Sequence, residues 1–500
     1  MMKKFLIYII VPILLSSCMK ELGNYDYKEV NEIKIDSVNT IYNALQYSPL
    51  NIVPQISQTS DNNESNLSYL WLCTVDAVID TLSKERNLNK EIVYAPGTYS
   101  CNYYVIDNNT GIFSIAKFQM NVQSALGEGL LVLSNKDGNA KLTYIHGNGS
   151  IIQYPDYLGK NGVAVNYHTK AYNSPDYISV MCNDGIGGVM LDPASLTKKF
   201  NLSNFFYIPP KIMNPQSYTR SQDYYKSLPN YGSTYNGNLY TEYICNDNKI
   251  HMRYAYGANL KMDAPMVSPD DKGYKASPHI FGSNYGPTCM VFDEKNSRFI
   301  ETQGTYSTKM YPIKIKTTTI RKPFDPDNLG ANMQLIFGDF GPSLSGNAKM
   351  YMIFDSLGQK HFLEAIHYYG NFTPAKKFKL NIPINSKTKF GVSYVTPCFF
   401  YSENNKIHNF DVEVQTSQLR YSLPENEEIT CMKSEYFSPK NDKNQYYFDH
   451  IRLYVGTKGT AVNGNVGSVY ILKMNADNTL TLIESYKNIA AEIVSFAWKK

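Results

Sequence analysis

The sequence predicts an all-β chain in two parts, and three observations carry that reading. Tyrosine supplies 42 of the 500 residues, and tyrosine suits half-buried strands and amphipathic surfaces. Residues 30–124 alternate apolar and polar side chains with the period of two that marks a strand. Residues 127–500 repeat one unit, an apolar strand, a polar turn and a second apolar strand.

Composition sets the bounds. Hydrophobic residues make up 43% of the chain and charged residues 18%. That supplies a core and excludes a disordered chain, a coiled coil and a polybasic nucleic-acid arm. The balance of charge is 48 − 44 = +4, and +2 once Lys3 and Lys4 are removed with a leader. Nothing there calls for nucleic acid or an anionic surface as a partner.

Residues 1–17 read as a secretory signal peptide. Lys3 and Lys4 precede an apolar run from Phe5 to Leu15, too short for the roughly 20 residues that span a bilayer. The run ends in Leu15-Ser16-Ser17-Cys18, which resembles a bacterial lipobox. That resemblance makes Cys18 the lipidated first residue of the mature chain, and Met19 in place of Asp favours sorting to an outer membrane. An acyl anchor holds because each buried CH₂ adds about 0.8 kcal/mol. Residues 18–29 then form a lipidated polar tether.

Two strands of the first domain are specific. Tyr69, Trp71 and Cys73 share one face, as do Tyr99, Cys101, Tyr103 and Val105, the latter strand ending at Asp107 before Asn108-Asn109-Thr110-Gly111. This Tyr-x-Trp strand and Gly-x-Tyr strand resemble the polycystic-kidney-disease-type (PKD) domain. The resemblance implies an immunoglobulin-like β-sandwich over residues 30–124. The Gly-Asp-Gly usual after the Trp strand is absent, which places the chain in a divergent PKD-like branch. In that sheet Cys73 and Cys101 occupy inward positions on neighbouring strands. They are a candidate disulfide in an exported compartment, or two buried thiols acting as small hydrophobes.

The repeat recurs at Leu130–Tyr144, Ile178–Gly185, Tyr243–His251, Val291–Glu301, Ile353–Glu364, Phe399–His408 and Leu453–Tyr470. Seven units spaced by about 50 residues predict a seven-bladed β-propeller over residues 127–500. Glu492–Trp498 is a strand without a hairpin, and it is expected to close the ring by completing the blade begun at 129–145, which removes exposed edges. Residues 201–240 and 257–288 interrupt the repeat as long irregular insertions. The first carries Tyr207, Tyr218, Tyr224, Tyr225, Tyr231 and Tyr235, the candidate ligand-binding residues.

Other motifs carry less. Cys182 and Cys245 fall at equivalent repeat positions, which indicates packing, and no CxxC is present, so a zinc ribbon or thioredoxin motif is excluded. His361 and Glu364 point to opposite faces of a strand, so His361-x-x-Glu364-x-x-His367 reads as blade sequence and not as a metal site. Asp325-Pro-Asp327-Asn328 lacks the closing Glu of a calcium loop. Asp270-Asp271 is an acidic loop pair of the kind that serves glycoside hydrolysis when suitably spaced. No nucleophile elbow, P-loop or dinucleotide fingerprint occurs. No catalytic residue, metal or cofactor is expected.

Lipobox, divergent PKD-like domain and propeller together look like the PKD-like family lipoproteins of Bacteroidota, most plainly at Cys18 and Gly23–Ile33. The resemblance implies a non-enzymatic lipoprotein of the outer membrane facing the cell surface. Nutrient capture is its expected work, through a glycan or peptide ligand or a SusC/SusD-like transporter partner. A structural or adhesion lipoprotein and a propeller hydrolase of polysaccharide or protein stand as alternatives.

Overall fold

The computed structural model describes residues 30–499. It leaves undescribed positions 47, 60–63, 76, 95, 125 and 148 and the segments 169–175, 222–240, 255–260, 283–287, 304–306, 316–321, 342–347, 369–370 and 437–450. The described residues are all β apart from two short 3₁₀ turns, and no helix among them is long and apolar enough to cross a membrane. The chain divides into two compact units, residues 1–125 and 126–500.

The first unit is built on a five-stranded sheet. Its strand order is Ile41–Leu45, Phe113–Gln123, Gly97–Asp107, Leu67–Val75 and Val78–Ser83. Two small ribbons, Ile33–Asp36 with Gln55–Gln58 and Pro49–Ile52 with Leu88–Glu91, contribute Leu50, Ile52 and Leu88 to the same core. Trp71 is 0% exposed and stacks on Tyr103 with ring centroids 3.9 Å apart. A buried indole needs an acceptor, and its N–H donates to Glu85 O at 2.9 Å. Asn31 donates to Asp107 at 3.1 Å, holding the strand end before the 108–111 turn.

The described residues of the second unit form seven antiparallel sheets. The first joins Glu492–Lys499 to Gly129–Lys136, Asn139–His146 and Ile151–Gln153. The second runs Gly162–His168, Tyr177–Cys182, Gly188–Leu191 and Lys198–Asn201, and the third Pro215–Arg220, Thr241–Asn246 and Lys249–Tyr254. The fourth is Ala276–Gly282, Cys289–Asp293, Arg298–Thr302 and Met310–Pro312. The fifth is Met333–Phe340, Ala348–Ser356, Gln359–Tyr368 and Asn371–Lys379. The sixth is Phe390–Val392, Cys398–Glu403, Lys406–Asp411 and Thr416–Ser422. The seventh is Glu428–Tyr436, Ile451–Val462, Asn465–Met474 and Leu480–Ala490.

Second strands such as Tyr177–Cys182 and Cys289–Asp293 are buried at every residue, because a sheet packed on both faces needs a continuous apolar run. The turn into the third strand is tight. At Asp137-Gly138, Asp247-Asn248, Leu357-Gly358 and Asn463-Gly464 both central residues take positive φ, the type I′ geometry that matches strand twist.

An apolar layer separates each sheet from the next. Val180 and Leu133 meet between the first and second, Phe206 and Ile244 between the second and third, and Met252 and Val291 between the third and fourth. Phe299 and Phe354 meet between the fourth and fifth, Phe362 and Phe399 between the fifth and sixth, and Phe400 and Leu453 between the sixth and seventh. A further layer of Tyr454, Ile471, Leu130 and Ile493 joins the seventh to the first. The first strands follow one another in the same order, from Glu492–Lys499 round to Glu428–Tyr436 and back. The arrangement is propeller-like. Leu130 pairs with Trp498 and Leu131 with Ala497, so the last strand of the chain enters the sheet that the first hairpin begins.

The insertions differ from the sequence expectation. Residues 201–240 and 257–288 were expected to be irregular, yet Pro215–Arg220 and Ala276–Gly282 are the first strands of the third and fourth sheets. Both are short, begin beside or contain proline, and are only half apolar. Their strand character comes from pairing with the buried Thr241–Asn246 and Cys289–Asp293 strands and not from local pattern.

Candidate functional site

Each sequence-derived candidate has a definite status. Cys18, Tyr224, Tyr225, Tyr231 and Tyr235 lie outside the described residues. Tyr207 is 50% exposed beside the more exposed Ile208, and its N–H donates to Met262 O. Tyr218 is a strand residue whose ring packs on His168 at 4.2 Å between centroids. Cys73 and Cys101 are free thiols, both buried, set directly opposite one another across neighbouring strands with Sγ atoms 2.7 Å apart.

A buried charge cluster stands at the root of the Tyr-rich segment. Ser221 N–H donates to Thr241 O and Thr241 N–H donates to Ser221 Oγ, which pairs these two buried residues. Glu242 follows, fully buried. Arg253 Nε donates to its Oε2 at 2.5 Å, and His168 Nδ1 lies 3.6 Å from its Oε1. Burial pushes the Glu242 carboxyl upward, but the charge of Arg253 and the approach of His168 outweigh it and hold the group well below the usual range. Arg253 also lies over the Phe205 ring at 4.7 Å. His168, Glu242 and Arg253 are all buried, and the cluster links the second and third sheets.

An open recess of about 460 Å³ lies at the fourth sheet, lined by Pro269, Asp270, Glu301, Gln303, Tyr311, Pro312 and Lys314. Met310–Pro312 is the outer strand of that sheet, and Glu301 pairs with Tyr311 across it. Asp270 comes from the segment before the sheet, brought alongside by Val267, whose N–H donates to Thr308 O and whose carbonyl accepts from Met310 N–H. Arg298 fixes the wall by bonding Asp270 at 2.7 Å and Asp293 at 3.1 Å.

The two carboxyls of the recess are in opposite states. Hydrogen bonds from Arg298 and Ser268 pull Asp270 down to about 2. Both of its oxygens are engaged by Arg298, at 2.7 and 3.3 Å. Burial pushes Glu301 up to about 7. Behind it, His367 of the fifth sheet is 1% exposed, with Nε2 at 3.9 Å from Glu301 Oε2. Neither ring nitrogen of His367 has a hydrogen-bond partner, and burial lowers the imidazole to about 4, so it is neutral near pH 7.

The other motifs resolve into packing and turns. Glu364 faces Lys349, Lys376 and the sixth sheet, while His367 faces the fourth, as strand alternation requires. Asp325 accepts from Asp327 N–H at 3.0 Å and caps a turn. Among the described residues no group of three or more His, Cys, Asp or Glu could hold a metal ion. Sequence reasoning read Glu301 and His367 as ordinary blade residues and missed Tyr311; the acid of Glu301 recurs at Glu364 of the next repeat, so its position gave no distinguishing signal.

No curated protein matches the sequence. The fold is similar to a quinonprotein alcohol dehydrogenase-like protein from Bacteroides thetaiotaomicron, at 10% identity over 92% of this chain and 100% of that one, with a TM-score of 0.40. It is also similar to a protein from Lactobacillus plantarum, at 10% identity over 75% and 99% of the two chains and a TM-score of 0.42. A putative 6-phosphogluconolactonase from Bacteroides uniformis is 11% identical over 74% and 99%, with a TM-score of 0.40. The model of the PKD-like family matches residues 18–168, running from the Trp71 and Tyr103 sandwich into the second sheet of the second unit. The family match and the stacked Trp71–Tyr103 core agree, and the chain carries PKD-like family sequence across residues 18–168.

Proposed function

We propose that this protein is a non-enzymatic lipoprotein of the outer-membrane surface, anchored through Cys18, that captures a small polar nutrient ligand for a SusC/SusD-like transporter. Its second unit is read as a closed seven-bladed propeller. Support for that reading is the apolar layer of Tyr454, Ile471, Leu130 and Ile493, which leaves no sheet face without a neighbour. The observation that carries capture is the recess. Its volume falls in the range of about 300–1,000 Å³ usual for small-molecule sites, and it combines an aromatic wall with a few polar groups. An ionised Asp270 beside a Glu301 raised to about 7 is also the pattern of an acid and base pair, so product analysis is what separates capture from turnover.

Calorimetry of the mature protein against panels of glycans and oligopeptides, with product analysis on the same samples, tests this. Saturable binding with unchanged ligand is expected, and product formation overturns the non-enzymatic reading. Cys18→Ala is expected to move the protein from the membrane to the soluble fraction; retention in the membrane refutes the anchor.

Export gives the Cys73 and Cys101 thiols an oxidising compartment. Exchange with an oxidised protein dithiol would join them, both protons and both electrons passing to that partner. A bridge across the intervening chain adds about 3–4 kcal/mol in the loop-closure model. Reductant and the Cys73→Ala/Cys101→Ala pair are expected to cost similar stability in chemical denaturation of the exported protein. Identical unfolding of parent and double variant without reductant rules the pairing out.

A further inference from the structure

We propose that the recess at the fourth sheet is a sugar-binding subsite, in which Glu301 accepts hydrogen bonds from neighbouring hydroxyls of a glycan ring that lies against Tyr311. This rests on the capture reading and names its ligand class. Glu301 reaches the recess with no hydrogen bond to the rest of the described protein, so its acceptor oxygens await a donor from outside. Its side chain is 14% exposed, so the carboxylate is partly stripped of water yet open to the recess, where ligand hydroxyls can take the place of water. Adjacent hydroxyls on a pyranose present two donors to one carboxylate. Pro269, Pro312 and the Tyr311 ring supply apolar area for the C–H face of the sugar, while Gln303 and Lys314 offer donors at the rim.

The competing ligand class, an extended peptide, fits this place poorly. Peptides add to sheets through free backbone groups on an edge strand. Here Val267 already occupies the Met310 N–H, and Pro312 has no N–H to give. A cationic ligand meets Lys314 at the rim. His367 does not line the recess. It is a positioning residue, whose Nε2 stands 3.9 Å behind Glu301 Oε2 and limits how far the carboxylate can turn from the recess.

Detergent-solubilised mature protein is titrated with neutral oligosaccharides and with oligopeptides, beside Glu301→Gln, Tyr311→Ala, Tyr311→Phe and His367→Gln variants, each checked for native unfolding. The expected result is saturable oligosaccharide binding. Glu301→Gln and Tyr311→Ala weaken it at least about tenfold, Tyr311→Phe preserves it, and His367→Gln weakens it about threefold through the dissociation rate. Parent-like oligosaccharide binding by folded Glu301→Gln and Tyr311→Ala overturns the subsite and leaves capture standing. Peptide binding without oligosaccharide binding overturns the ligand class. Absence of any binding in either panel overturns the capture reading as well.

Discussion

Glu301→Gln is expected to be more stable than the parent at about pH 8, and the advantage is expected to disappear at about pH 4. Burial lifts the Glu301 carboxyl from an ordinary 4.5 to about 7. Between those values the folded protein holds a proton that the unfolded chain has released. The folded state therefore binds more protons, and stability falls as pH rises through that window. Above about 7 the full cost is present, at most about 3 kcal/mol from the gap between the two values. An uncharged amide of the same shape removes it. Denaturant titrations of both proteins at several pH values measure the difference. A pH-independent difference, or a variant less stable at high pH, would show that Glu301 is stabilised in place by its neighbours. A residue that costs stability where the protein works, and whose loss also removes binding, carries the mark of a site kept for function.

The second large effect concerns Glu242. Glu242→Gln is expected to destabilise the second unit by about 3–5 kcal/mol, because it removes the buried carboxylate to which Arg253 donates. Replacing both partners, as Glu242→Leu with Arg253→Met, is expected to cost much less, since the desolvation of both charges is then avoided. The comparison separates the worth of the pair from the penalty of removing one partner of it. A single-variant loss below about 1 kcal/mol would mean that the other contacts of Arg253, the Phe205 ring among them, hold it without Glu242.

The hairpins of the second unit were legible because their second strands are buried on both faces. Ile178–Cys182, Val291–Asp293 and Leu453–Val455 read as continuous apolar runs, and the Asp-Gly and Asn-Gly turns among them announce their own geometry. The first strands were harder. Pro215–Arg220 and Ala276–Gly282 carry Gln, Ser, Arg and His, since their faces are only half covered, and so they merged with the loops around them. Tyr218 was grouped with the loop tyrosines for the same reason, although its ring packs on His168 inside a sheet.

Local pattern therefore decided what local physics controls: strand or not, buried face or not, and which residues turn. The Tyr69–Trp71–Cys73 and Tyr99–Cys101–Tyr103 alternation already placed the first core, because a period of two leaves no other face for those side chains. Tertiary structure alone decided which distant residues meet. Asp270, Glu301, Tyr311 and His367 come from separate strands and a connecting segment, and no spacing in the chain relates them. Nor does any local signal show that Glu301 lost its water while Asp270 gained Arg298. Burial and charge pairing are properties of the packed sheets, and they set the chemistry of those two carboxyls apart.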